Sequence, residues 1–168
     1  MNIVLAIIIL LGYTIALCIK GGGVPSSLSA SVFDLPKSQR WIWTVMLYAV
    51  CFCVLVPFGS GGVSFLDKVS ENTQFLAFIA IAALAFVGAA PLVMDKTDIA
   101  YKVHCVAALV CAVCSQLVLV FNQPCLLLCW VPFVAYEVWR LTMKQPWATQ
   151  TFWAEMVCFG STFAFCLI

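Results

Sequence analysis

The stretch Phe75–Met94 reads FLAFIAIAALAFVGAAPLVM and contains no charged side chain. A helix needs about 20 mostly apolar residues to cross the hydrocarbon core of a bilayer, so this stretch is long enough to span a membrane. Eight of its residues are alanine or glycine, and such small side chains let neighbouring helices approach closely. We therefore expect this helix at the centre of a helical bundle.

The rest of the chain has the same composition. Of its 168 residues, 65% are hydrophobic and 9% are charged, and the mean hydropathy is +1.12. A soluble domain carries about 25% charged residues, so the sequence predicts that the bilayer surrounds this chain. The net charge of +1 provides no basic surface for nucleic acid, and we expect no nucleic-acid partner.

Six apolar stretches predict an all-α fold, a single polytopic transmembrane helical bundle over residues 1–168 with short loops. The predicted spans are Ile3–Ile19, Trp41–Phe58, Phe75–Met94, Val103–Phe121, Cys125–Met143 and Thr151–Ile168. The sequence Asn122-Gln123-Pro124 is a strong turn signal and predicts a hairpin between the fourth and fifth spans. The alternative is a five-helix bundle in which these two stretches form one long broken helix.

The basic residues predict an orientation. The first, third and fifth loops hold Lys20, Lys37, Arg40, Lys96, Lys102, Arg140 and Lys144, whereas the second loop holds Lys68 alone. Lysine and arginine accumulate on the cytoplasmic side of membrane proteins, so we expect both termini to face away from the cytoplasm. No positive charge precedes the first span, which favours a retained helix over a cleaved signal peptide.

A stripe of small and polar residues runs along the fourth span. Its members are His104, Ala108, Cys111, Ser115 and Asn122. At 100° per residue, their side chains fall within about 40° of one another on a helix. Such a stripe either faces a water-filled cavity or packs against the third span through interhelical hydrogen bonds.

The first loop contains a segment, Ser27–Asp34 (the serine segment), that is too apolar for a solvated linker. Three glycines and Pro25 precede it, and we expect a short re-entrant or interfacial segment, which membranes tolerate only where its backbone is satisfied. Its polar side chains are candidate ligand contacts: Ser27, Ser29, Ser31 and Asp34. The alternative is that the serines cap their own turn.

Charged residues of the later loops would lie at the same leaflet: Asp95, Asp98, Glu137, Arg140 and Glu155. Glu137 and Arg140 are three residues apart, a spacing that favours an ion pair on one helix. Glu155 requires a partner, which Arg140 or Lys144 would supply. We predict a ligand site formed by the serine segment, His104, Glu137 and Arg140.

No metal or cofactor is expected. The single histidine cannot form a three-histidine zinc site. The ten cysteines all lie in apolar stretches, where cysteine acts as a small packing residue.

These patterns favour a non-enzymatic protein that binds or passes a small polar or lipid-like molecule through a cavity facing the cytoplasm. One alternative is an intramembrane serine hydrolase acting on a lipid, with Ser29 as nucleophile, His104 as base and Asp98 orienting the base. Another is a structural or partner-binding subunit that assembles through the small residues of the third span.

Three short motifs carry a resemblance: Pro25-x-Ser27-x-Ser29, Phe86–Pro91 (FVGAAP) and Val103-His104. In these motifs, and over most of its length, the chain resembles a group of small, uncharacterised bacterial integral membrane proteins. The resemblance implies a six-helix protein of the bacterial inner membrane. That group has no established activity, so the resemblance implies no mechanism.

Overall fold

The computed structural model describes residues 2–56, 64–93 and 99–168, without the side chains of residues 2, 34, 91–93 and 100. Its helices are α1 (Asn2–Gly21), α2 (Arg40–Leu55), α3 (Phe65–Lys68), α4 (Gln74–Val93), α5 (Ile99–Asn122), α6 (Val131–Thr142) and α7 (Gln150–Leu167). Shorter 3-10 helical segments lie at Ala30–Asp34, Lys37–Gln39, Glu71–Thr73 and Pro124–Trp130. This part of the chain contains no β-strand, which confirms the all-α prediction for the described residues.

Five helical segments are long and apolar enough to cross a membrane. They are Ile3–Gly21, Lys37–Leu55, Glu71–Ala90, Tyr101–Asn122 and Pro124–Thr142, and they match the first five predicted spans. The sixth predicted span corresponds to α7, which carries Gln150, Glu155 and Ser161 and is not among the five. The described chain therefore has the helices expected of a multi-pass membrane protein, and a bundle of six spans is not confirmed.

Helix α4 packs between α2 and α5, and Gly88 explains how closely it meets α2. A Cβ atom at Gly88 would lie 3.2 Å from Tyr48 Cε1 and 3.3 Å from Leu47 Cδ2. The Thr44 hydroxyl donates a hydrogen bond to the Gly88 carbonyl oxygen at 2.6 Å. The small residues of α4 thus allow the close helix contact that the sequence predicts.

The chain reverses direction after α5. Gln123 has a non-helical backbone conformation (φ −153°, ψ 68°), and the segment Pro124–Trp130 packs back against α5. The Trp130 indole N–H donates to Gln116 Oε1 at 2.8 Å. These two residues lie at the same sequence distance before and after Gln123, as expected for the two arms of a hairpin. This is the hairpin that the turn signal predicts, rather than one long broken helix.

The loops divide between two ends of the bundle. At the end that we call the first-loop end, the Phe152 backbone N–H donates to the Ser26 carbonyl at 3.1 Å. At the opposite end, Lys68 Nζ donates to the Cys166 carbonyl at 2.7 Å, and the Ser70 N–H donates to Asn122 Oδ1 at 2.9 Å. The first loop and the start of α7 therefore lie at one end, and the second loop lies at the other.

Candidate functional site

A cavity of about 110 Å³ lies between α2, α4, α5 and α7. On α2 its lining runs from Trp43 to Val54, which corresponds to about 16 Å at a rise of 1.5 Å per residue. The cavity is therefore elongated and parallel to the helices. Most lining side chains are apolar, and the exceptions with a hydroxyl or carboxylate are Ser29, Ser115, Glu155 and Thr162.

The residues of the stripe on α5 have two kinds of surroundings: some line this cavity, and others make packing contacts. Its central members, Ala108, Cys111 and Ser115, line the cavity. Asn122 is occupied at the opposite end, where its amide donates to Thr73 Oγ1 at 3.0 Å. The centre of the stripe therefore faces a mostly apolar cavity, and Asn122 bonds to the segment that precedes α4. A water-filled cavity stays a prediction.

The carboxylate of Glu155 lines the cavity and accepts hydrogen bonds from the serine segment. Its Oε1 accepts hydrogen bonds from the Ser29 hydroxyl at 2.5 Å and from the Ser29 backbone N–H at 3.4 Å. Its Oε2 accepts from the Leu28 backbone N–H at 2.5 Å. The Ser27 hydroxyl lies 3.0 Å and 3.1 Å from the two oxygens. Because a backbone N–H can only donate, both oxygens act as acceptors.

Among the described residues, every hydrogen-bond donor to Glu155 is a neutral group. Within the described ranges, no lysine, arginine or histidine forms an ion pair with this carboxylate, so the expectation that Arg140 or Lys144 would be its partner is wrong there. The reason is the docking of the first loop on α7 through Phe152 and Ser26. That contact places the serine segment, rather than the fifth loop, against Glu155.

The serine segment is held by its own hydrogen bonds and by burial. The Ala30 N–H donates to Ser27 Oγ at 3.1 Å, and the Ser31 hydroxyl donates to the Leu28 carbonyl at 2.7 Å. Leu28 and Val32 are fully buried. The serines therefore cap their own turn, and Ser27 and Ser29 also contact Glu155. The side chain of Asp34 lies outside the described part of the structure.

His104 is buried at the first-loop end and is only 1% exposed. Its ring centroid lies 5.2 Å from that of Phe33, edge to face, and 6.2 Å from that of Tyr101, stacked. Neither imidazole nitrogen has a hydrogen-bond partner among the residues that the structure describes. His104 does not appear in the cavity lining, and the Ser29 hydroxyl donates to Glu155 instead of to this imidazole. Asp98, the third member of the hydrolase alternative, lies outside the described residues.

The ion pair predicted between Glu137 and Arg140 is present, with Arg140 Nη2 2.8 Å from Glu137 Oε2. Arg140 Nη1 also donates to the Gln145 carbonyl at 2.8 Å, and the guanidinium lies 5.3 Å from the centroid of the Trp147 ring. These contacts organise the connection between α6 and α7. Neither charged residue lines the cavity.

A polar network that the sequence analysis missed is centred on Gln116. Its Oε1 accepts from Trp130 Nε1 at 2.8 Å and from the Ser161 hydroxyl at 3.2 Å, and its Nε2 lies 3.4 Å from the Cys158 carbonyl oxygen. The signal was available, because a glutamine in the middle of an apolar span requires an internal partner. This network joins α5, α7 and the segment that follows α5.

A second cavity of about 200 Å³ lies between α1 and α7. Its lining consists of apolar side chains and Gly160, so it offers no hydrogen-bonding side chain to orient a ligand. In the described ranges no group of three or more His, Cys, Asp or Glu side chains is arranged to hold a metal ion.

The fold and the site together define a helical protein with membrane-length helices and an elongated, partly open cavity, whose described lining includes the carboxylate of Glu155. No protein-family model, no curated protein and no solved structure matches the chain.

Proposed function

We propose that this chain is an integral membrane protein that binds a small lipid-like molecule in the cavity between α2, α4, α5 and α7. The single observation that carries the proposal is the cavity lining, which is mostly apolar and has the hydroxyl of Ser29 and the carboxylate of Glu155 at the first-loop end. Ligand sites typically combine an apolar wall with a few placed polar groups.

The size and shape of the cavity favour a slender apolar body. The cavity, at about 110 Å³, is smaller than an apolar cavity of about 150 Å³ that is known to hold benzene, so a thin alkyl chain fits it better than an aromatic ring. An alkyl chain gains little free energy by leaving lipid tails for an apolar cavity, because both surroundings are equally apolar. Selection of a ligand therefore depends on the polar end of the site, formed by Ser29 and Glu155.

The membrane and the orientation are part of this proposal. We assign the chain to a bacterial cytoplasmic membrane, as its resemblance to small bacterial membrane proteins implies. The excess of lysine and arginine in the first, third and fifth loops favours a cytoplasmic location for the first-loop end. In this orientation the polar end of the cavity lies at the cytoplasmic leaflet.

Two alanine variants of α4 test the proposal. Ala80 is buried and lines the cavity, whereas Ala82 is exposed on the same helix. Saturation binding of radiolabelled octanol is measured on the protein in phosphatidylcholine nanodiscs, with empty nanodiscs as background. We expect saturable binding that Ala80→Leu weakens at least tenfold, because the larger side chain fills the cavity. Ala82→Leu should bind as the unsubstituted protein does.

Non-saturable binding, or binding that Ala80→Leu leaves unchanged, would contradict the proposal.

A further inference from the structure

We infer that the molecule bound in this cavity is an amphipathic cation, an apolar body with an ammonium group whose charge lies beside Glu155. The inference rests on the proposed function, because it names the chemical class of ligand for the same cavity. It goes beyond that proposal by assigning a sign of charge and a head-group geometry.

Glu155 has neutral hydrogen-bond partners and no ion-pair partner among the described residues. The two backbone N–H groups of Leu28 and Ser29 donate to opposite oxygens of Glu155. These hydrogen bonds favour the ionised carboxylate, whereas its burial opposes ionisation. All of its described donors are neutral, so hydrogen bonds stabilise the negative charge but do not cancel it. A buried charge is normally paired. A ligand cation at the end of the cavity would supply the missing partner.

The hydrogen bonds that Glu155 already accepts restrict the kind of head group that can bind there. The oxygens of Glu155 already accept hydrogen bonds from Ser27, Leu28 and Ser29. A ligand would therefore interact with the negative charge of Glu155, because few lone pairs of its oxygens remain free to accept hydrogen bonds. A guanidinium group binds best where a carboxylate is free to accept two parallel hydrogen bonds, whereas a quaternary ammonium group has no N–H to satisfy. The site thus favours a quaternary ammonium group over guanidinium.

Trp43 adds an aromatic wall to the cavity. Trp43 lies near the start of α2, at the first-loop end, and it lines the same cavity as Glu155. Its indole N–H is already used, since it donates to the Val87 carbonyl at 3.3 Å. The buried ring also packs against Tyr13, with the two ring centroids 5.4 Å apart. Only the ring surface that lines the cavity would therefore meet a ligand, and the π-system of tryptophan attracts ammonium groups.

The test compares probes that share one alkyl chain and differ in head group. Octyltrimethylammonium, octanol, octylguanidinium and octyl sulfate are titrated against the protein in nanodiscs of neutral phosphatidylcholine, which removes attraction by anionic lipid. We expect octyltrimethylammonium to bind at least tenfold more tightly than octanol, and octylguanidinium to bind more weakly than octyltrimethylammonium. Octyl sulfate should bind most weakly, because the carboxylate repels it. This ranking uses the unsubstituted protein and needs no variant to fold.

Two matched variants test whether the carboxylate of Glu155 causes the preference for ammonium over alcohol. Glu155→Gln removes the charge and nearly preserves the shape, while Glu71→Gln makes the same change at an exposed site at the opposite end. We expect Glu155→Gln to abolish the preference for ammonium over alcohol and Glu71→Gln to leave it unchanged.

Equal affinities for octyltrimethylammonium and octanol, or a preference that survives Glu155→Gln, would overturn the inference and leave the proposed function standing. If octanol and the cation both fail to bind saturably, the proposed function fails as well.

Discussion

The Ser29 hydroxyl donates a hydrogen bond to Glu155 Oε1 at 2.5 Å, although 126 residues separate the two in the chain. This contact fixes the first loop on α7. Both residues also line the cavity, so the same hydrogen bond shapes its polar end.

The pair predicts a non-additive effect on stability. A hydrogen bond to a charged group contributes about 1.5–3 kcal/mol, so Ser29→Ala should lower the free energy of unfolding by about 2 kcal/mol. In a double-mutant cycle with Glu155→Gln, the two changes should be coupled by about 1 kcal/mol. Ser31→Ala is the control, because the Ser31 hydroxyl bonds only within its own loop and should show no coupling. Additive effects of Ser29→Ala and Glu155→Gln, measured by denaturant unfolding in detergent, would contradict this account of the contact.

Two glycines predict opposite outcomes for the same substitution. Gly88→Leu should lower the unfolding temperature, because the new side chain would displace Tyr48 and Leu47 at the contact between α2 and α4, and overpacking of this kind typically costs about 1–3 kcal/mol. Gly160→Leu is the control. Apart from its own helix, no described residue has a heavy atom within 4 Å of a Cβ at that position, so leucine should be tolerated or slightly stabilising as a better helix former. Equal losses in the two variants would show that Gly88 has no special packing role.

The apolar helices and the close packing of α4 were predictable from the sequence. An uncharged stretch of about 20 residues has few structural options in a membrane, and small residues mark close helix contacts. The turn at Gln123 was also predictable, because the asparagine and proline beside it are local signals.

The polar end of the cavity was only partly predictable. The serine segment and Glu155 were recognised separately, but the contact between them depends on how the first loop folds over α7. Spacing along the chain does not encode that contact. For the same reason Arg140, which is close to Glu155 in sequence, was the wrong choice of partner.

Two variants of His104 test the hydrolase alternative through their unfolding temperatures. Its ring packs against Phe33 and Tyr101, and its nitrogens have no partner in the described part of the chain. His104→Phe should therefore keep or raise the unfolding temperature, since an unsatisfied buried polar group costs about 1–3 kcal/mol. His104→Ala should lower the temperature by removing the ring contacts. Similar losses in both variants would indicate that the imidazole nitrogens do have a role.

The unsubstituted protein should not react with reagents that label nucleophilic serines. We expect a fluorophosphonate probe to leave the first loop unlabelled, because the Ser29 hydroxyl is engaged by Glu155. Labelling of Ser29 that His104→Ala abolishes would instead favour the hydrolase.

The positions of the loops predict a topology. Epitope tags inserted in the first loop at Ser38 and in the fifth loop at Gln145, both exposed positions, should be protected in intact spheroplasts and accessible after permeabilisation. A tag in the second loop at Glu71, also exposed, should be accessible from outside. First-loop and second-loop tags found in the same compartment would overturn the orientation and the placement of the polar end of the cavity.

The most direct test of the central claim is photolabelling of the bilayer-embedded protein with a diazirine-bearing fatty alcohol, mapped by peptide mass spectrometry. We expect adducts on cavity-lining residues such as Cys111 and Phe159, and an excess of octanol should suppress them. Adducts confined to outward-facing residues such as Val106 and Leu109, which are more than half exposed, would show that the cavity holds no ligand and would contradict the account.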